Sequence, residues 1–489
     1  MTIVREIADL PAPRGLPLLG NAHQLIRTSR VHSTAERWAR RYGPIVRVNI
    51  GRRLILGISD QDAINQILRE RPDGFRRWRE QEEIGKEMGP TGVVVAEGED
   101  WRRQRRLVVT ALNTNHLHRY FHVVQTATER LHRQLSSAAV EGRALDITRE
   151  LTSYAVDITS ALAFGHDLNT LEQGENELQA HIQRILQMTA RRLAMPIPYW
   201  RRVRLPADRA LDRSLAEVRK AVEVFIEQAR ARMRERPELF EAPENFLEAM
   251  LAAQREDGKF TDEEIIGNVQ TLLVAGEDTT AHTLGWTIWF ISSRPDIQDR
   301  ISEEARQALG DDPFPADHNV IEGLEYGEAV IRETLRLKAV APLLTIESLV
   351  DTTICDTHIP AGTRLLLLLR EAGLRGGESV REFDPERWLD GRAPDQKSFL
   401  TFGAGPRFCP GRNLAFLEAK TALAMIARNF EVELDDSKGP VTEHFGFTMI
   451  PKGLRVRLRE RVPERPMAKG TAEKLMATGV AERGNGSGL

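Results

Sequence analysis

Residues 261–296 read TDEEIIGNVQTLLVAGEDTTAHTLGWTIWFISSRPD, and no other stretch constrains the fold as strongly. Thr261, with Glu264 three positions on, makes a capping box, the reciprocal pairing that starts a helix. Pro295 marks where that helix must stop. At 1.5 Å per residue the rod between them is roughly 50 Å long, enough to cross a domain. Its middle is apolar on most sides, so it should be buried. One short segment, AGEDTT at 275–280, interrupts the apolar run. Gly276 in a helix interior costs roughly 1 kcal/mol relative to alanine, and a buried acid without a partner costs more. Such violations inside a consistent helix are expected where function sits. The bland alternative is a kink with a solvated Asp–Thr pair. The sharper reading is a groove with an acid and a hydroxyl placed to pass protons.

Around this rod the chain reads as mostly α with a minor β portion. Helical periodicity dominates from about Trp101 to Arg336. IVRVNIGRRLILGIS predicts a two-strand hairpin turning at Gly51-Arg52, and TRLLLLL predicts a strand after Pro360-Ala361-Gly362. We read residues 1–9 as a lead, 10–460 as a single unit, and 461–489 as a tail expected to be disordered, because it lacks aromatics and a sustained apolar face. With 489 residues and 41% hydrophobic content there is ample material for a core. The net charge of −3 gives no reason to expect a nucleic-acid partner. Two cysteines, Cys355 and Cys409, cannot build a disulfide framework and suit a reducing compartment. No apolar run is long enough to span a membrane, and the opening residues lack the apolar core of a secretory signal. The expectation is a soluble, cytoplasmic protein without a transmembrane anchor.

Cys409 lies in FGAGPRFCPGR, residues 402–412. The amphipathic pattern that follows places it at a helix N-terminus, with Pro410 in the first turn. There the macrodipole and free N–H groups lower a thiol's pKa. Gly403, Gly405 and Gly411 let the backbone approach a flat ligand where a Cβ would collide. Arg407 can reach a carboxylate on that ligand's rim, and Phe402 can shield the sulfur from water. An inert buried cysteine needs none of this neighbourhood. A nucleophilic cysteine lacks a histidine in a recognisable arrangement, and a zinc site lacks clustered ligands. A single thiolate on haem iron needs one cysteine only.

FGAGPRFCPG matches the signature F-x-x-G-x-R-x-C-x-G of the haem-thiolate monooxygenases through Phe402, Gly405, Arg407, Cys409 and Gly411. The chain thus resembles the cytochrome P450 superfamily, in its soluble bacterial-type form. The resemblance implies haem b between the long central helix and the cysteine loop, with Cys409 as the iron ligand. AGEDTT resembles the family's (A/G)-G-x-(D/E)-T-T segment. That likeness implies a haem-facing groove at Ala275 and Gly276, with Asp278 and Thr279 delivering protons to dioxygen. WRRQR resembles W-x-x-x-R, implying that Trp101 and Arg105 bind a propionate. Glu333 and Arg336 of E-x-x-R, with Arg387 of FDPERWL, match the buried network that supports the cysteine loop.

Two departures stand out. The arginine that many members carry after Pro342 is missing; Ile346 or Glu347 stands near that place. The stretch REAGLRGGESVREFD gives no role for Arg370 or Glu371. By position in the family layout, Val274, Val340, Ala341, Leu343, Leu344 and Phe447 line the substrate pocket, although ordinary core packing explains each of them as well. Two charged segments, FRRWREQEEIGKEMGPTG and LAMPIPYWRRVRLP, are expected at its lid. The implied reaction inserts one atom of O2 into a small hydrophobic substrate (terpenoid, fatty acid or polyketide-like). The chain ends soon after the haem domain, so electrons are expected ultimately from NAD(P)H through a separate ferredoxin or flavodoxin-type protein and its reductase. Arg102, Arg103 and Arg106 could face such an acidic donor. A haem-thiolate isomerase, dehydratase or peroxygenase, and a haem-binding protein that turns nothing over, stay open as alternatives.

Overall fold

The computed structural model describes residues 4–25, 30–174, 176–195, 197–258, 260–375, 378–392 and 399–461. The tail from 462 on, expected to be disordered, lies outside the described residues.

The long helix is there, Asp262–Ile291, 30 residues and so about 45 Å in length. The capping box starts it: Thr261 Oγ1 accepts from the Glu264 N–H, and the Glu264 carboxylate accepts from the Thr261 N–H at 2.9 Å. It stops at Ile291, and Pro295 opens the next helix, Pro295–Leu309. The helix is continuous through AGEDTT, so the polar interruption does not break it. Gly276 has a packing reason: a Cβ there would lie 2.7 Å from Thr159 Oγ1 on the helix Ile147–Phe164. Close approach of the two helices requires the missing side chain.

Helices enclose the rod on most sides. One apolar cluster joins Leu131, Leu151, Leu284, Ile288, Leu423 and Met425 from the helices Phe121–Glu141, Ile147–Phe164, Asp262–Ile291 and Arg412–Asn429. A second joins Val222, Phe246, Met250 and Val269, from Pro206–Glu235, Phe246–Asp257 and the same rod. Among the described residues no helix is long and apolar enough to cross a membrane.

The minor β portion is a five-stranded sheet in the order Ile45–Ile50, Arg53–Ile58, Arg364–Leu368, Leu343–Ser348, Phe75–Arg77. The predicted hairpin forms with Ile50 opposite Arg53. Gly51 at φ 60° supplies the left-handed turn conformation. The leucine run has a reason in its position: Leu365 and Leu367 enter one apolar cluster, while Leu366 and Leu368 enter another against the helix Val31–Tyr42. A strand covered on both faces needs no polar alternation. The chain docks from Arg5, whose N–H donates to Asp356 O at 2.8 Å. Arg370 and Glu371 also gain roles. Arg370 forks onto Glu36 and reaches Glu443 at 2.9 Å, while Glu371 accepts from Arg40 at 2.6 Å and Arg381 at 3.1 Å. Both bind the first helix to the rest of the fold.

Candidate active site: a cavity between the long helix and the cysteine loop

A cavity of about 330 Å³ lies between the rod and the cysteine loop, within the range of cofactor and ligand pockets. Ala275, Gly276 and Thr279 form one wall; Phe402, Cys409 and Gly411 form the facing one.

The loop holds Cys409 by its backbone, whose N–H donates to Phe402 O at 2.9 Å. The helix behind it begins at Arg412 with Gly411 as N-cap, so Pro410 precedes the helix and does not sit in its first turn. The N–H groups of Gly411 and Arg412 still reach the sulfur. They and Arg105 pull the thiol's pKa down, but burial outweighs them and the net direction is upward. The N-terminus alone therefore does not make a thiolate here. A cation bound at the sulfur is needed to hold it deprotonated. Gly405 serves a different purpose from the expected one. Its φ is 67°, and a Cβ would lie 2.5 Å from Leu68 O, so it seats the loop on the helix Gln61–Arg69 and does not line the cavity. Gly411 has no such close neighbour; a Cβ there would lie 3.9 Å from Cys409 Sγ.

One edge of the cavity is unusually cationic. Arg71, Arg77, Arg105 and Arg407 all line it. Arg407 donates to Ala96 O at 2.6 Å and to Glu97 at 2.7 Å, and its guanidinium lies 4.7 Å from the Trp101 ring. Arg105 donates to Phe408 O at 2.6 Å. Glu97 is the carboxylate of this group, and Arg71 approaches it only to 3.7 Å. Arg71 Nε and Nη2, Arg77 Nε and Arg407 Nε are buried without a hydrogen-bond partner among the described residues. Burial, with Arg77 and Arg407 beside it, pushes Arg71 down to about 8; burial pushes Arg407 down to about 10. A guanidinium keeps its proton, so these buried positive charges are only partly offset by Glu97. Orphaned donors around one carboxylate fit an anionic ligand.

Arg71 and Arg77, both on the cavity edge, escaped the sequence analysis. Ile346 is fully buried and pairs with Arg77 across the sheet, so Arg77 reaches the cavity from the strand beside the place where the sequence lacks an arginine. Arg102 and Arg103 are already occupied: Arg102 bonds Asp73 at 2.6 Å, and Arg103 bonds Glu264 of the capping box.

On the rod, Thr279 Oγ1 donates to Ala275 O at 2.8 Å and sits at the cavity. Asp278 stands beside it in sequence but off the cavity wall, and burial raises its carboxyl to about 6. Glu418, a third missed residue, does line the cavity. It is fully buried beside Thr280, and burial pushes it up to about 8, which favours its neutral form.

Among the expected pocket residues Val340, Ala341 and Leu344 line the cavity. Leu343 does not: strand alternation turns it to the other face of the sheet, against Ala35 and Trp38. Val274 and Phe447 pack into the second helical cluster and are not on the wall. The two segments expected at a lid meet each other, with Glu87 accepting from Trp200 Nε1 at 2.6 Å and Arg201 Nε at 2.6 Å, and of their residues Arg77 lines the cavity.

Behind the loop, Glu333 is fully buried and accepts from Arg336 at 2.8 and 2.7 Å, Arg387 at 2.9 Å, Trp388 Nε1 at 2.9 Å and the Asp384 N–H at 3.0 Å.

The chain is 28% identical over 473 residues to the mouse (Mus musculus) 25-hydroxyvitamin D-1 alpha hydroxylase, mitochondrial, covering 92% of each chain. It is 27% identical over 439 residues to protein LUTEIN DEFICIENT 5, chloroplastic, of Arabidopsis thaliana, covering 86% of this chain and 72% of that one. It is 26% identical over 463 residues to thromboxane-A synthase of Rattus norvegicus, covering 86% of each. Residues 10–458 match the cytochrome P450 family across nearly the whole described length, and the chain belongs to that family.

Proposed function

We propose that the chain is a haem-thiolate monooxygenase that inserts one oxygen atom of O2 into a hydrophobic organic substrate, drawing electrons from a separate protein donor. The observation that carries this reading is the cavity itself, with Cys409 on one wall, the Ala275–Thr279 stretch of the rod on the other, and buried, unsatisfied arginines at one edge. Those residues suit haem b. Cys409 would ligate the iron, and Arg71, Arg77, Arg105, Arg407 and Trp101 would hold the propionates. When bound, haem supplies the redox chemistry of oxygen transfer.

The chain's own residues bind, orient and manage protons. Phe402 shields the sulfur. Val93, Leu112, Phe246, Leu272 and Leu344 make an apolar pocket that suits a terpenoid, fatty acid or polyketide-like skeleton. Asp278, with a carboxyl near 6, can both take and give a proton close to neutrality, and Thr279 Oγ1 carries a hydroxyl to the cavity. That acid–alcohol pair favours O2 and electrons over direct use of peroxide.

The test is turnover of purified protein with O2, NAD(P)H and a ferredoxin or flavodoxin reductase system, after a library screen for the substrate-induced spin change. Consumption that needs all three supports the reading. Turnover with a hydroperoxide alone, and none with O2 and electrons, overturns it.

Asp278→Asn is expected to lower O2-dependent turnover by about 10²-fold, the scale of general acid–base catalysis. It also changes stability in a known direction. A folded carboxyl raised from 3.8 to about 6 binds protons that the unfolded chain has released, so folding stability falls as pH rises through that window. The variant escapes this loss. It should be more stable than the parent by about 2–3 kcal/mol at pH 7, and equal to it below pH ~4, in urea titrations at the two pH values. Arg71→Gln removes one charge-assisted contact worth about 1.5–3 kcal/mol. Haem loss to an apomyoglobin trap should then speed up by roughly tenfold or more.

A further inference from the structure

Away from the cavity, three metal-ligating side chains come together from elements distant in sequence. His118 belongs to the helix Thr114–Arg119; His318 and Glu322 belong to the helix His318–Glu322. Their candidate ligand atoms all lie within 4.8 Å of one another. The two imidazole rings are 3.7 Å apart between centroids, closer than aromatic pairs usually sit. His318 Nδ1 is buried without a hydrogen-bond partner among the described residues, and Glu322 Oε1 is 3.7 Å from it.

Both turns are fixed by side-chain caps at their starts. Asn113 Oδ1 accepts from the His116 N–H at 3.0 Å, and Asp317 accepts from the Asn319 N–H at 2.7 Å. Leu117 and Ile321, next to the ligands, are buried anchors. Phe121 closes one side edge-on to His318. The charged and titratable groups facing His318 are His118, Glu322, Asp317 and Lys420, and Lys420 is engaged by Glu328 at 3.0 Å.

We propose that His118, His318 and Glu322 form a site for a borderline divalent transition cation such as Zn2+, clamping the 114–119 turn to the 318–322 turn. Two imidazoles and one carboxylate suit Zn2+, Ni2+ or Cu2+, and not the oxygen-seeking Ca2+ or Mg2+. Ligands at about 2.05 Å in a tetrahedron lie roughly 3.3 Å apart, so side-chain rotations of about 1 Å close the site, with water in the fourth position. The site packs beside the helix Arg412–Asn429 that leaves the cysteine loop, and occupancy would cross-link that neighbourhood.

The experiment uses tag-free holoprotein, cleared of metal by chelator and titrated with Zn2+ by calorimetry and with Co2+ by visible absorption. One Zn2+ per chain is expected, with a Co2+ spectrum free of sulfur charge transfer and a Zn2+-dependent rise in Tm. His118→Ala and His318→Ala should each weaken binding by at least about tenfold, since even an outer-shell partner costs that much. Their Soret bands should match the parent's, which reports an intact haem site. Equal Zn2+ binding by parent and the His118→Ala/His318→Ala double variant overturns the proposal. So does a sulfur charge-transfer band, which would place the ion at a cysteine, or the absence of stoichiometric binding by the parent.

Discussion

Cys409→Ala is expected to abolish the red-shifted Soret band of the reduced, carbon monoxide-treated protein, and O2-dependent turnover with it, while the chain stays folded. The backbone N–H of residue 409, which holds the loop to Phe402 O, survives the change. The loop's shape is also kept by Gly405 against Leu68 and by the helix that starts at Arg412. The variant therefore tests the sulfur and little else. Cys355 supplies the control. Its thiol packs against a cluster beside the sheet, and burial pushes it up to about 11, so it stays protonated and far from thiolate chemistry. Cys355→Ala should keep the band in full. A Cys409→Ala protein with the parental spectrum would sink the ligand reading, whatever its activity.

The second large effect is on stability. Glu333→Gln should cost about 3–5 kcal/mol, because it leaves the buried Arg336 and the largely buried Arg387 facing an amide in place of a carboxylate. Arg336 is held further by Val380 O at 2.5 Å and Glu382 O at 3.2 Å, so it cannot turn out to water without breaking the loop before Asp384. Set against a usual total of about 5–15 kcal/mol, this loss should empty much of the folded state at 37 °C. Urea unfolding with haem bound should show an earlier midpoint. Arg387→Lys, which keeps the charge but loses the planar fork, should cost less. A Glu333→Gln protein within 1 kcal/mol of the parent would mean that the network is dispensable.

Local signals in the chain proved legible where the interaction they announce is itself local. Thr261 and Glu264 lie one turn apart, and the capping box forms as written. Glu333 and Arg336 share one helix face, and Gly51-Arg52 closes a two-residue turn. Leu343 and Leu344 were harder, because one residue of strand register decides which of them faces the cavity.

The amino-acid order alone determined the long buried rod, the cysteine loop that leads into a helix, and the acid–hydroxyl pair on the rod, because each is a pattern within one continuous stretch of chain. Tertiary structure alone decided that Arg71 and Arg77 come to the cavity edge, that Gly276 answers to Thr159, and that Glu418 reaches the cavity. Those outcomes depend on strand pairing and helix crossing between segments far apart in sequence. Nothing in the spacing of neighbouring residues encodes which distant side chain will arrive.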